Sequence, residues 1–166
     1  RPPSRIPVSD RIIPWDSSYL TRAAEIIALS YGGQIDAVIT SDYRTKEGCD
    51  GYLRSLIENP GCGFFLPGAS FLCLTDQGSP CGLILSCSIS EKSIMIPQIA
   101  VHPSYQGLGI GNGLMNRSLE LLKSREYHSV GLTVTEENRR AFEWYRRLGY
   151  GTRKEFGAYV WQRRRG

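Results

Sequence analysis

Ile99-Ala-Val-His-Pro-Ser-Tyr-Gln-Gly-Leu-Gly-Ile-Gly-Asn112 is the stretch on which the reading of this chain turns. A β-branched apolar run stops at Pro103, passes through a glycine-dense turn and enters an amphipathic helix predicted over 109–125. Its inward stripe is Ile110, Leu114, Ser118, Leu121 and Leu122. A turn of this kind presents successive backbone N–H groups at the positive end of a helix, which suits a phosphate or pyrophosphate. Gly107, Gly109 and Gly111 would let the backbone approach such a ligand without Cβ clashes. The order strand, loop, helix says where a phosphorylated cofactor would sit, and an ordinary tight turn is the plain alternative.

Two common phosphate motifs are absent. In G-x-G-x-x-G the third glycine would fall at Asn112 or Leu114, and no acid follows between 127 and 135 to bind a ribose. The P-loop pattern G-x-x-x-x-G-K-[ST] does not occur. Gln106-x-x-Gly109-x-Gly111 does occur, and it resembles the coenzyme A pyrophosphate loop of the acetyl-CoA-dependent N-acetyltransferase superfamily, GNAT. Residues 138–150, Asn-Arg-Arg-Ala-Phe-Glu-Trp-Tyr-Arg-Arg-Leu-Gly-Tyr, are similar to the later signature of that family, N-x-x-A-x-x-x-Y-x-x-x-G-[FY]. The two motifs stand in the family's order and spacing, and the resemblance covers about 70–161.

The rest of the chain reads as alternating elements. Residues 1–9 hold three of the nine prolines and read as an extended lead-in or linker, with one acetyltransferase-type domain over 10–166. A short strand is predicted at 11–14 and a helix at 17–31, with Asp16 or Ser17 as N-cap and Gly32-Gly33 as its end. Residues 34–45 read as loop and 45–59 as a second helix. Strands follow at 69–75, 81–90 and 93–101, the first two joined by a hairpin at Asp76-Gln-Gly78. After the helix at 109–125 come a strand at 128–135, a helix at 136–148 capped by Thr135, and a last strand or hairpin arm at 150–161. The fold class is therefore α/β. The resemblance implies a mixed, mostly antiparallel sheet of six to seven strands with four helices, splayed between the fourth and fifth strands. Pro97 lies inside a strand, so it marks either that break or an edge without further role.

Composition bounds the function. A chain of 166 residues, 41% hydrophobic and 22% charged, has the make-up of a globular domain. No apolar run approaches a membrane span and no leader pattern opens it, so no membrane partner is expected. Five cysteines without C-x-x-C and two histidines argue against a metal centre and favour a reducing, cytoplasmic setting. The net charge of +4 is carried largely by arginines at 139–147 and 163–165, with no nucleic-acid motif beside them. No nucleic-acid partner is expected. The first residue, Arg1, suggests a processed or excised chain, compatible with an upstream domain or a homodimer.

Acyl transfer from a thioester to an amine needs the cofactor held, its carbonyl oxygen stabilised, the amine deprotonated and the thiolate protonated. The loop Gln106, Gly107, Leu108, Gly109, Ile110, Gly111 and Asn112 would hold the pyrophosphate of acetyl-CoA. Ile99, Ala100 and Val101 would pair with the pantetheine arm as an added strand does, and a free N–H there could face the thioester oxygen. The resemblance implies Asn138 as a polar cofactor contact, although a helix-start Asn also serves its own backbone. It further implies Tyr145 as cofactor contact and catalytic acid. A phenol of pKa about 10 is protonated at neutral pH and can serve a thiolate of pKa about 8.5. Helical spacing alone would equally make Tyr145 a core residue beside Ala141 and Leu148.

No base is evident. Where relatives carry Glu, this chain has Leu132-Thr-Val-Thr135; Gln98 cannot accept a proton, and His102 sits at a strand–loop corner. Ordered water is expected to take the proton, with Asp36, Asp42 or Glu47 as acidic candidates. Tyr31, Asp36 and Tyr43 could line the acceptor site. Two functions follow. One is an N-acetyltransferase moving acetyl from acetyl-CoA directly to a small-molecule or peptide amine in a ternary complex. The other is a non-catalytic acyl-CoA-binding module, one half of a tandem protein.

Overall fold

A computed structural model describes residues 6–157. Its strands are β1 (Ile12–Pro14), β2 (Phe64–Phe65), β3 (Phe71–Leu74), β4 (Pro80–Ser90), β5 (Ser93–Val101) and β6 (Ser129–Gly131). Its helices are α1 (Leu20–Tyr31), α2 (Ile35–Ile39), α3 (Lys46–Glu58), α4 (Ile110–Ser124) and α5 (Arg139–Arg147). None of them is long and apolar enough to cross a membrane. The strands form one sheet in the order β1-β3-β4-β5-β6, with β2 paired to the far end of β4. Every pairing is antiparallel except β5 with β6. This is the mixed, mostly antiparallel α/β sheet that the sequence implies.

The apolar pattern dictates the layers. β4 is buried along its first eight residues because helices cover both of its faces. Leu72, Leu83 and Leu85 face Ala24, Ile27 and Leu53 of α1 and α3. Phe71, Cys73 and Ile84 face Ile110, Leu114 and Met115 of α4 on the opposite side, as a period of two requires. Ser118 interrupts the apolar stripe of α4 for a reason. Its hydroxyl donates to the Ala69 carbonyl at 2.9 Å and therefore accepts from Ser86 Oγ at 3.1 Å, so three buried polar groups are satisfied together. Cys49, Cys73, Cys81 and Cys87 are buried small core residues, and all five cysteines are free.

The feature that builds a site is the splay of β5 from β6. The two strands pair only over Ser93–Ser129, Ile94–Val130 and Met95–Gly131, and 132–135 then diverge. Pro97 falls just past this point. On the other edge Leu85 opposes Gln98 and Cys87 opposes Met95, so Ile96 and Pro97 together oppose Ser86. That is a β-bulge, the place in a sheet interior where a residue without an N–H costs least. The splay therefore lies between the strands predicted as fourth and fifth.

Several expectations are corrected. The described residues hold five α-helices rather than four, because 35–39, expected as loop, close one helical turn after Gly33 at φ 77° restarts the chain. Residues 1–5 lie outside the described part, but Val8–Arg11 form a 3₁₀ turn rather than an extended lead-in. Val8 packs so closely on α4 that a Cβ at Gly113 would come within 2.7 Å of it. The strand expected at 128–135 shortens to three residues because its partner departs. Thr135 does not cap the following helix: Asn138 does, accepting from Ala141 N at 3.3 Å. Thr135 instead donates to Asp36 at 2.6 Å. Of the predicted last strand, residues 151–157 carry no strand and 158–161 lie outside the described residues. β2 was not expected, since two residues are too few to show a period.

Candidate functional site

A cleft of about 370 Å3 opens where β5 loses its neighbour, bounded by the turn after Tyr105, the first turn of α4 and the inner face of α5. Ile99, Ala100, Val101, Gln106, Gly107, Gly109, Ile110, Gly111, Asn112, Asn138 and Tyr145 all line it. Leu108 alone of the residues predicted to bind the cofactor does not; it is 57% exposed, so only its amide remains available.

The turn has the geometry its glycines predict. Gly107 and Gly109 stand at φ 77° and 78°, in the left-handed region, and Gly109 is the N-cap of α4. Gln106 N bonds back to Pro103 O and Gly113 N is the next amide engaged, by Gly109 O. Between them the amides of residues 107–112 carry no partner among the described residues. Six free donors at the positive end of a fifteen-residue helix form an anion cradle. Side chains brace it. Gln106 donates to Val101 O at 3.0 Å and accepts from Arg140 at 2.9 Å, while Trp144 Nε1 donates to Asn112 at 2.6 Å.

β5 presents its backbone to the same cleft. His102 N bonds Cys81 O on the β4 side, so by strand alternation the polar groups of Ile99 and Val101 face away from β4. Their carbonyls accept from Tyr31 at 3.3 Å and from Ser30 at 2.9 Å. A carbonyl has two lone pairs, so Ile99 O retains room for one more donor, whereas Val101 O, which also accepts from Gln106 at 3.0 Å, has both taken. Ser30, Tyr31, Gln34, Tyr105, Arg140 and Trp144 complete the wall. Ser30, a serine on the otherwise apolar buried face of α1, was the available signal in the sequence.

Tyr145 is buried, 9% exposed, with its ring 4.8 Å from Trp144 and 5.9 Å from Tyr150. No described group hydrogen-bonds its hydroxyl, whose oxygen is not among the buried atoms left without a partner and so opens into the cleft. Burial, with the charges of Tyr150 and Asp36, pushes its pKa well above the usual phenol value. Three more tyrosines lie along β5 from the α1/α3 side. Tyr31 stacks on Tyr43 at 4.8 Å, and Tyr43 meets Tyr52 edge-on at 5.4 Å. Their hydroxyls donate to Ile99 O, Gln98 Oε1 and Pro97 O, and Gln98, 2% exposed, also donates to Tyr31 Oη at 3.2 Å. Burial raises all three pKa values.

These shifts have a thermal consequence. Because folded-state phenol pKa values are raised, their contribution to stability is complete below the unfolded value of about 10 and is lost as pH climbs above it. Each buried phenol then costs about 1.4 kcal/mol per further pH unit. The melting temperature should begin to fall near pH 9, where burial of the Cys49 and Cys87 thiols, pushed up to about 11, starts to count, and fall more steeply from pH 10 to 11.5 as the phenols join them. A Tyr31→Phe, Tyr52→Phe double variant should fall less steeply; an identical fall would show that these phenols do not set it.

Of the three acidic candidates the structure brings Asp36 to the site. Its carboxylate accepts from Thr135 at 2.6 Å and from Asn138 Nδ2 at 3.2 Å, tying α2 to the entry of α5. Asn138 thus caps its own helix while lining the cleft. Asp42 and Glu47 are exposed beside the start of α3 and line neither cavity. His102 stands at the corner, its Nδ1 accepting from Ser104 N at 3.1 Å.

A sheet opened between parallel neighbours, with an anion cradle beside the gap, defines the class. Residues 35–150 match the acetyltransferase (GNAT) family, and the chain belongs to that family. Over 114 residues it is 32% identical to an uncharacterized N-acetyltransferase of Methanocaldococcus jannaschii, a stretch covering 65% of this chain. The same stretch spans 47% of that relative, about half its length. The fold is shared with the PaiA N-acetyltransferase of Thermoplasma acidophilum solved with coenzyme A, at a TM-score of 0.67 and 18% identity over 89% of this chain and 92% of that one. It is shared also with the ribosomal-protein-S18-alanine N-acetyltransferase of Escherichia coli, at a TM-score of 0.66 and 18% identity over 86% and 78% of the two chains.

Proposed function

We propose that the chain is an N-acetyltransferase that moves acetyl from acetyl-CoA to a primary amine in a ternary complex. The observation that carries this reading is the pairing, in one cleft, of six free amides with an unpartnered buried phenol. The coenzyme A bound to the Thermoplasma acidophilum neighbour supports the cosubstrate. Acetyl-CoA would supply an activated acyl group, and every other step falls to residues of this chain.

The amides of residues 107–112 would hold the pyrophosphate, with Arg140 and Arg147 at the rim adding charge. The amides of Ile99 and Val101 would bond the pantetheine arm, and one of them would polarise the thioester carbonyl. The amine nitrogen then forms a bond to the carbonyl carbon as the C–S bond breaks. Tyr145 donates its hydroxyl proton toward the departing sulfur, and the proton shed by the amine replaces it through water. Burial suits this role because it keeps Tyr145 in the neutral, donating form. Asp36 would orient that water path through Thr135 and Asn138.

Titration of the protein with acetyl-CoA should release heat and raise the melting temperature, and transfer to a panel of primary amines should follow. No heat and no thermal shift would remove the reading. Binding without transfer to any amine would favour the non-catalytic module.

A further inference from the structure

A second cavity, of about 640 Å3, lies on the same run of β5 as the cleft. Met95 and Pro97 border it, whereas Ile99 borders the cleft two residues on. The tyrosine row joins the two, since Tyr31 faces the cleft, Tyr52 faces the cavity, and Tyr43 packs against both rings. The outer wall is the turn 60–64. Gly63 at φ 98° brings that turn against β4 so closely that a Cβ there would lie 2.5 Å from Ser88 O. At the mouth Phe64 is 72% exposed and Ile89 52% exposed, and Thr133 of the diverging chain closes the opposite side.

None of the described residues lining this cavity carries a charge. Its hydroxyls are largely committed elsewhere: Tyr52 donates to Pro97 O, and the serine of β4 beside it donates to Ser90 O at 2.9 Å. An ammonium brought here would lose water and gain no carboxylate, whereas an aryl or alkyl body would bury against Phe64, Ile89 and Met95. We infer that this cavity seats the apolar body of the acceptor, and that the acceptor is a hydrophobic monoamine rather than a polycation. The inference rests on the acetyltransferase reading for the word acceptor. The single amine would point along β5 toward Tyr145, and the tyrosine row, whose protons are all spent on β5, serves as wall and not as base.

Cys62 offers a local readout. It is exposed on the cavity wall, and the other four cysteines are buried. Its reaction with an aromatic disulfide reagent should therefore dominate thiol release from the native protein. Phenylethylamine at ten times its Kd should slow that reaction about tenfold, in proportion to the sites left empty. Spermidine at the same concentration should slow it less than about twofold. Phe64→Asp and Thr133→Asp, both at exposed positions, should each let spermidine protect Cys62. Equal or better protection by spermidine in the wild type, no protection by either amine, or no change in either variant would overturn the assignment. Acetyl-CoA binding without protection would overturn this seat alone. Protection without acetyl-CoA binding would remove the functional reading and the acceptor role with it.

Discussion

Tyr145→Phe should lower kcat at least about 100-fold, the scale expected when a positioned proton donor is removed, and should leave the Kd for acetyl-CoA within about twofold. The reasoning starts from what the hydroxyl does in the free protein, which is nothing: no described group accepts from it or donates to it. Removing it breaks no contact, and the ring that packs on Trp144 and Tyr150 is retained. Folding stability should accordingly change by less than about 1 kcal/mol, because the hydroxyl oxygen opens to the cleft and leaves no protein partner behind. A loss of kcat with unchanged stability and unchanged affinity would place the hydroxyl at the reacting sulfur. Retained turnover would reduce Tyr145 to a core tyrosine. The pH profile adds an independent check. Because burial raises this phenol above its ordinary range, no loss of turnover below pH 10 should trace to its ionisation. An alkaline limb near pH 8 or 9 would have to come from another group.

What could be read from the sequence and what could not divide along the reach of the interactions. The turn at 106–112 was legible because its chemistry is local: three alternating glycines, a proline stop and a helical stripe all act within residues 103–122. Tyr145 and Asn138 were singled out only through the resemblance, since helical spacing alone would equally have made one a core residue and the other a cap. The splay was legible only through the resemblance, together with Pro97, and the bulge opposite Ser86 shows why a proline marked it. The Thr135 cap failed for a physical reason. Thr135 and Asn138 both favour helix starts, and Asp36, some hundred residues upstream, captures the threonine hydroxyl and leaves the cap to Asn138. Nothing near 135 encodes that competition. The cavity beside β2 was illegible for the same reason, since residues 60–64, 88–89, 95–97 and 133 meet only after the sheet has formed.

The glycine turn yields the second large effect, and two substitutions two residues apart separate its structural from its functional demands. Gly109 needs φ 78° and has open space where a Cβ would project. Gly109→Val therefore clashes with nothing; it strains the backbone, by about 1–3 kcal/mol for a β-branched side chain held at positive φ. The free loop can escape by relaxing to negative φ, which turns the amides of residues 107–112 out of line. Binding must then restore the strained form, so the Kd for acetyl-CoA should rise about tenfold to a hundredfold. Gly111 is a different case. It lies within α4 at an ordinary helical φ, and a Cβ there would meet the Trp144 ring at 3.5 Å, which is normal contact. Gly111→Ala should stabilise the free protein by about 0.5–1 kcal/mol, as alanine does in a helix. If the amide of Gly111 lies against a pyrophosphate, the added methyl should still weaken acetyl-CoA binding, so that stability and affinity move in opposite directions. A more stable Gly111→Ala protein with undiminished affinity, together with a Gly109→Val protein that binds normally, would mean that the cradle holds no diphosphate and that its glycines serve only the turn.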